Sequence, residues 1–292
     1  MTGGQSRGRG AALTVVVPAH DEEAVIGRCL DGLLADARPG EVDVLVVANG
    51  TTDATLAVAR TAAAARGHEI GTLDLPEPSK IAAVRAGLAR APGAVAVVDA
   101  DVELSTAGLR ALAAALDADR PLVAAPTLRV DASDASWAVQ RYYRAWTALP
   151  YVASSMVGSG VFALNAAARE RLGELPEVTN DDGWVRRSFA PHERVVVDEP
   201  FTARAARTVG ALVGRRARIV NGNRSLDGAL GGRDAGGNGA RDLARLVVAR
   251  RVGPLDAVVF LAVTVASRVV AARRRARGDT GWYADTTTRV AA

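Results

Sequence analysis

The sequence predicts an α/β fold in which helices cover a largely parallel sheet. Two observations carry that prediction: short β-branched runs alternate with segments of helical apolar spacing up to residue 98, and a polar cluster follows each of the best-defined runs. Length and composition agree with it. The 292 residues allow one large domain or two modest ones, and 49% hydrophobic with 23% charged residues excludes a disordered or fibrous chain. The one cysteine, Cys29, cannot form an internal disulfide and reads as a small core residue. Three histidines leave little room for a Cys/His zinc site.

Residues 13–17 are a buried-strand pattern, stopped at Pro18. The polar cluster His20, Asp21, Glu22, Glu23 follows, and Val25, Ile26, Leu30, Leu33 and Leu34 then recur at helical spacing. A helix over 22–35, with its acidic residues in the first turn, is expected. The cycle repeats with a strand at 43–47, a capping turn at 49–53 and a helix at 54–65. A helix at 79–91 and a strand at 94–98 complete the alternating part. Ligand sites in such sheets form at the carboxyl ends of the strands, where the polar clusters lie. Beyond residue 120 the pattern loosens into a strand at 122–127, an aromatic helix around Trp137, Tyr142, Tyr143 and Trp146, and short strands at 160–164 and 194–197. The aromatic helix reads as core. Residues 228–239 are too glycine-rich for a fixed helix or strand, and two basic-apolar helices close the chain.

The 36 basic and 32 acidic residues leave a charge of +4. Only 4% of residues are aromatic, too few for a base-stacking surface interleaved with basic residues, so no nucleic-acid partner is expected. No apolar core precedes Ala11, and a cytoplasmic location is the expectation.

Chemistry concentrates in three places. Asp99 and Asp101 follow an apolar strand one residue apart; in extended backbone they would share a face and could offer a hard divalent cation the few carboxylates it needs. Helix capping ahead of Ser105 is the plainer alternative. The adjacent pair Asp181–Asp182 reads as a helix N-cap, or as a base whose neighbour raises its proton affinity. Arg215, Arg216 and Arg218 form a cluster suited to bidentate phosphate contact, or a solvated helix face. His68 and His192 are lone histidines, the second with a metal-shell role as its alternative.

In their joint order these segments resemble the family 2 inverting glycosyltransferases of GT-A fold. The matching residues are 15–23, 49–53, Lys80 ahead of Ala86-Gly87-Leu88, Asp99-Ala100-Asp101, Gly158-Ser159-Gly160, Asp181-Asp182 and 215–218, within residues 12–225. The resemblance implies a GT-A Rossmann-like mixed sheet flanked by helices, with a C-terminal helical extension. It implies a nucleotide-diphospho-sugar donor, a UDP-sugar first, an unidentified hydroxyl acceptor and Mg²⁺ or Mn²⁺. Pro18, Ala19, His20 and Glu22 would line the nucleotide, with His20 stacking on the base. Asn49 and Asp53 would shape its pocket, although an Asx turn and a cap explain both, and Lys80 would lie beside it. Asp99 would sit near the ribose and in the metal site, Asp101 would ligate the metal, and Arg215 and Arg218 would hold the pyrophosphate. Gly158, Ser159 and Gly160 would form the acceptor-side loop. Asp182 would be the base, with Asp181 as the alternative one register away. Two departures matter. Ala48 stands where the family often has a base-contacting Asp, and Ile219 replaces an aromatic associated with polymerising members, so a single addition is expected.

The domain reading is a tail at 1–11, a transferase domain at 12–225, a mobile glycine-rich loop at 226–240 and a helical extension at 241–292. Residues 255–272 are apolar, interrupted by Asp256 and Arg268, and reach about 27 Å as a helix, short of the ~30 Å hydrocarbon core. With Arg273, Arg274, Arg275 and Arg277 behind them, residues 255–277 are expected to contact a membrane surface peripherally, at the inner face of the cell membrane. That would suit a lipid-linked or cell-envelope acceptor. Two rivals remain. A sugar nucleotidyltransferase would carry a basic glycine-rich loop where His20-Asp21-Glu22-Glu23 is acidic. An inactive membrane-attached scaffold would not need both acid pairs.

Overall fold

The computed structural model describes residues 13–153, 160–230 and 239–278. The alternating part folds as β1 (Leu13–Ala19), α1 (Ile26–Leu34), β2 (Val42–Asn49), α2 (Thr55–Ala65), β3 (Gly71–Leu75), α3 (Lys80–Arg90) and β4 (Val95–Val98). There follow β5 (Val102–Leu104), α4 (Thr106–Ala115), β6 (Val123–Asp131), α5 (Trp137–Thr147), α6 (Pro150–Ala153), β7 (Val161–Leu164) and α7 (Ala166–Leu172). Then come α8 (Asp181–Ser188), β8 (Arg194–Arg204), α9 (Val209–Leu230), α10 (Ala240–Val248) and α11 (Pro254–Ala276). The strands form an eight-stranded mixed sheet in the order β3-β2-β1-β4-β7-β6-β8-β5. β3, β2, β1 and β4 are parallel, and β7 pairs antiparallel with β4. The chain thus has the α/β architecture with a C-terminal helical extension that the sequence predicts.

Apolar cores lie on both faces of the sheet. One packs α1, α2 and α4 against the sheet around Val15, Val17, Leu30 and Leu112, and the other packs α3, α7 and α8 around Val16, Val97 and Phe162. Close approach of α3 to β1 depends on Gly87, because a Cβ there would overlap the Val16 side chain. A third core joins α5 to α9, α10 and α11 through Tyr142, Leu212, Leu246 and Phe260.

Several boundaries move for physical reasons. β1 does not stop at Pro18 but runs through Ala19, since the register Pro18↔Val47 and Ala19↔Ala48 keeps the chain extended. The regular part of α1 starts at Ile26, because Glu22 and Glu23 are tied to the second loop: their N–H groups donate to Thr55 Oγ1 (2.8 Å) and Asp53 Oδ2 (3.0 Å). β3 and β5, short strands at sheet edges, have too little apolar pattern to be read ahead. Helix α9 continues to Leu230, past the boundary expected near 225, with Leu226 buried and Asp227 paired to Arg187 at 2.6 Å. Residues 231–238 of the glycine-rich segment lie outside the described residues, as do 1–12.

Helix α11 is not free on all sides. Asp256, Phe260, Val263, Ser267 and Ala271 are buried against α5 and α9, and Asp256 accepts from Arg141 of α5 at 2.9 Å. Leu255, Val258, Leu261, Val265 and Val269 form an exposed apolar stripe on its other face.

Candidate active site

The carboxyl ends of β1, β2 and β4 meet at one edge, beside the break between the parallel strands and β7. At the end of β1, His20 donates from Nδ1 to the Asn49 carbonyl (2.7 Å), and Asn49 Nδ2 donates to the Ala19 carbonyl (2.8 Å). Asp53 accepts from the Thr55 backbone at 2.9 Å and from the Thr55 hydroxyl, and Glu23 accepts from Ala54 N at 3.0 Å. Burial works against the Asp53 carboxylate, but these bonds hold its pKa below the usual range. Pro18, Ala19, His20, Glu22, Asn49 and Asp53 are thus brought into one locked pair of loops. His20 remains a third exposed and turned toward Asp21 (3.8 Å), whereas Glu22 is buried.

Asp99 and Asp101 do not share an extended face. Asp99 follows the end of β4, and Ala100 and Asp101 lie in a turn closed by Val102 N donating to the Asp99 carbonyl (3.2 Å). That separates their tasks. Asp99 Oδ1 is held by Lys80 Nζ at 2.7 Å, while Asp101 is half-buried and makes no side-chain hydrogen bond or ion pair among the described residues. Cys29 lies under this turn, its thiol raised out of the physiological range by burial and then by Asp101 and Asp99.

Lys80 is the junction of the site. It opens α3, where Ser79 caps the helix by accepting from Ala82 N (3.2 Å), and its ammonium also reaches Asp181 Oδ1 at 3.1 Å. One lysine therefore joins an acid from the parallel half to an acid from α8, 101 residues on in the chain. Burial opposes its charge, but Asp181, Asp99 and Asp182 overcome that and raise its pKa, so it stays an ammonium ion. Burial also raises Asp99, to about 7; Lys80 pulls it down, and Asp181 and Asp101 push it up.

The second acid pair does not supply the cap of α8. Asn180 is the N-cap, accepting from Gly183 N at 2.9 Å, and Asp181 and Asp182 are the first two helical residues. Both are buried. Asp182 is oriented by two backbone donors, Gly160 N to Oδ2 (3.2 Å) and Gly183 N to Oδ1 (2.6 Å). Burial and then the Asp181 charge raise its pKa, against Lys80 and those donors. Gly160 is required where it stands: its φ is +95°, its carbonyl accepts from Asp99 N at 2.7 Å, and a Cβ would lie 2.7 Å from Asp99 Oδ2. Gly158 and Ser159 lie outside the described residues.

The arginine cluster belongs to a different wall. Arg215 and Arg216 of α9 line a cavity of about 420 Å³ between α5, α8, α9 and α11, whereas Arg218 is not among its lining residues. Arg215 donates to the Arg204 carbonyl at 3.3 Å, and Arg216 lies 5.8 Å from the Trp146 ring centre. Asn180 and Gly183, on either side of the acid pair in sequence, line the cavity too. The aromatic helix is partly core as expected, but Tyr142, Tyr143 and Trp146 also face this cavity. The sequence signal for that was the spacing 142, 143, 146, shared by a core face and a binding face. Arg186, Arg187, Arg204 and Arg268 carried no signal of their own. His192 is exposed on a 3₁₀ turn, where its carbonyl accepts from Arg120 Nη1 at 3.1 Å. Among the described residues no three His, Cys, Asp or Glu side chains cluster to hold a metal unaided.

Three carboxylates around one lysine, with Asp101 beside Asp99, make an edge that repels an anionic phosphate ligand unless a cation accompanies it. The acids present offer hard oxygen donors of the kind Mg²⁺ and Mn²⁺ accept, with ligand phosphates completing the shell. Asp101 has no side-chain hydrogen bond or ion pair among the described residues, whereas Asp99 is held by Lys80.

Fold and site together define an α/β enzyme whose acids meet from the end of β4 and the start of α8. The glycosyl transferase family 2 model matches residues 14–162, just over half of the chain, and the chain belongs to that family. Among solved structures the chain is similar to a mannosyltransferase from Pyrobaculum calidifontis in complex with GDP-Man and Mn²⁺, at 20% identity and TM-score 0.57, covering 93% of this chain and 76% of that one. It is also similar to glucosyl-3-phosphoglycerate synthase from Mycobacterium tuberculosis in complex with Mn²⁺, UDP and glucosyl-3-phosphoglycerate, at 22% identity and TM-score 0.54, covering 78% and 82%. No curated protein matches the chain.

Proposed function

We propose that the chain transfers a sugar from a nucleotide-diphospho-sugar to an acceptor hydroxyl, with inversion and by single addition, using Mn²⁺ or Mg²⁺. The observation that carries this reading is the Lys80 junction, which sets Asp99 and Asp181 on one ammonium while Gly160 orients Asp182 beside them. The structural neighbours, crystallised with Mn²⁺ and GDP-Man or UDP, support the donor class and the cation.

The loops ending in His20 and Asn49 would receive the nucleoside, and the absence of an acid at Ala48 leaves the base open between uridine and others. A cation on Asp101 would neutralise charge on the departing diphosphate. Lys80 keeps the neighbouring carboxylates from repelling each other and holds Asp99 in place. Asp182 would take the proton of the acceptor hydroxyl as that oxygen attacks the anomeric carbon from the face opposite the diphosphate. Its raised proton affinity favours that role, and Asp181 is committed to Lys80 through Oδ1.

We also place the enzyme at the inner face of the membrane, lying on it. The apolar stripe of α11, followed by Arg273, Arg274, Arg275 and Arg277, supports contact with an anionic surface. The 23-residue helix is long and apolar enough to cross a bilayer, but its buried Asp256–Arg141 pair and its packing on α5 and α9 favour an interfacial position. The test of the whole reading is incubation with UDP-glucose and GDP-mannose in Mn²⁺. Metal-dependent release of nucleoside diphosphate is expected; no release from any nucleotide sugar would overturn it.

A further inference from the structure

Helix α8 is eight residues long and carries the acid pair on its first two, so the place of both carboxylates is set by how its first turn is held. That turn depends on the Asn180 side chain. Gly183 N can be accepted only by an oxygen, so its bond to Asn180 Oδ1 (2.9 Å) fixes which way the Asn180 amide faces. The amide nitrogen then needs an acceptor on the other side, and Asn223 Oδ1 of α9 meets Asn180 Nδ2 there at 2.7 Å. Gly183 leaves room for this arrangement, because a Cβ there would lie 2.6 Å from Asn180 Nδ2. Two further contacts bring α9 to the same place. A Cβ at Gly222 would stand 3.4 Å from Asn180 Cβ, so the backbone of α9 passes close to the cap. One turn beyond Asn223, the Asp227 carboxylate accepts from Arg187 of α8 at 2.6 Å. Asn223 and Asp227 thus share one face of α9 and hold α8 at its start and near its end.

We infer that Asn223 is a positioning residue of the active site: by holding the Asn180 amide it fixes the first turn of α8, and through it the point at which Asp182 meets the acceptor hydroxyl. Its consequence for catalysis rests on the transferase reading. Lys80 holds Asp181 and Gly160 orients Asp182 from the sheet side, and Asn223 holds the same turn from the side of α9. Asn223 makes no hydrogen bond to Asp181 or Asp182, so its effect passes through Asn180. Without an oxygen at position 223 the Asn180 amide loses the partner that decides its orientation. Turned over, it would set an N–H against the N–H of Gly183, and the cap would fail. A misplacement of ~1 Å at the reacting groups costs about 10²-fold in rate.

The experiment is hydrogen exchange on the full chain, read by NMR at the Gly183 and Trp184 amides, beside calorimetric donor binding and diphosphate release from UDP-glucose and GDP-mannose in Mn²⁺. Both amides bond to Asn180, Gly183 N to Oδ1 and Trp184 N to the backbone carbonyl. Asn223→Leu has a similar branched shape and no acceptor. In it both amides should exchange about fivefold faster or more, turnover should fall about tenfold or more, and donor affinity should stay within about twofold. Asn223→Asp keeps an acceptor oxygen, so exchange should return to within about twofold of the native chain and most of the turnover should return with it. Asn223→Ala removes the oxygen without adding bulk and takes the place of Asn223→Leu if that variant does not fold. Native exchange in both Asn223→Leu and Asn223→Ala, or exchange in Asn223→Asp as fast as in either, overturns the inference. Donor affinity lost in step with turnover marks a merely structural role and overturns it too. If exchange quickens and turnover is unchanged, the inference falls and the transferase reading stands. If the native chain releases no diphosphate, the transferase reading falls, while faster exchange in Asn223→Leu with rescue in Asn223→Asp upholds Asn223 as the brace of α8.

Discussion

Removing the Lys80 ammonium tests how the acids coexist. In Lys80→Met the chain keeps the side chain's length but leaves Asp99, Asp181 and Asp182 facing one another without a cation. Lys80 is 23% exposed at its side chain and Asp181 4%, so water screens little of the repulsion. Breaking a buried pair by deleting one partner costs about 3–5 kcal/mol, and the 29% exposure of Asp99 places the expected loss near the lower figure, about 3 kcal/mol at pH 8. The pH dependence follows from proton affinity. Asp99 is already raised from 3.8 to about 7, and losing Lys80 raises it further, so the folded state binds protons that the unfolded state releases. Stability from this group is fully present below pH 3.8 and is lost as pH rises through its folded pKa, so the variant's deficit should shrink toward pH 5 and be largest above pH 8. Urea unfolding at pH 5 and pH 8 measures both numbers. A deficit under about 0.5 kcal/mol, or one equal at the two pH values, would refute the view that Lys80 neutralises the acid cluster.

Gly160→Ala should cost about 1–3 kcal/mol, because alanine is strained at φ +95° and its Cβ would displace Asp99; urea unfolding reads the stability and diphosphate release the activity. Asp182→Asn should lower transfer by about 10²–10⁴-fold while leaving donor affinity within a few fold, as a calorimetric titration beside a turnover assay would show. Val258→Glu with Val265→Glu, both on the exposed stripe, should abolish sedimentation with anionic liposomes without shifting the unfolding midpoint; retained sedimentation would remove the interfacial role of α11.

Much of the fold was legible because β1, β2 and β4 are buried on both faces and must be continuously apolar, as Val15-Val16-Val17 and Val95-Ala96-Val97-Val98 are. The edge strands β3 and β5 were not, since Gly71 and Glu103 sit where only one face is covered. Within the site, Lys80, Asp99, Asp181 and Asp182 stood out as polar residues at element ends. Their meeting on one ammonium depends on how β7 inserts antiparallel beside β4, and no local pattern encodes that. The extended-backbone argument for Asp99 and Asp101 failed for the same kind of reason: the chain turns at Ala100 to start β5. The arginine and tyrosine lining of the cavity is more dispersed still, drawn from α5, α8, β8, α9 and α11, so each residue alone looked like core or solvated surface.

The central claim is a cation-dependent nucleotide-sugar site built on Asp101. Its most direct test is calorimetric titration of UDP, GDP, CDP, ADP and TDP with and without Mn²⁺, on the native chain and on Asp101→Ala. The account predicts that one diphosphate binds only with the cation and that Asp101→Ala abolishes the binding while the chain stays folded. Binding of equal strength without the cation, or in the variant, would contradict it.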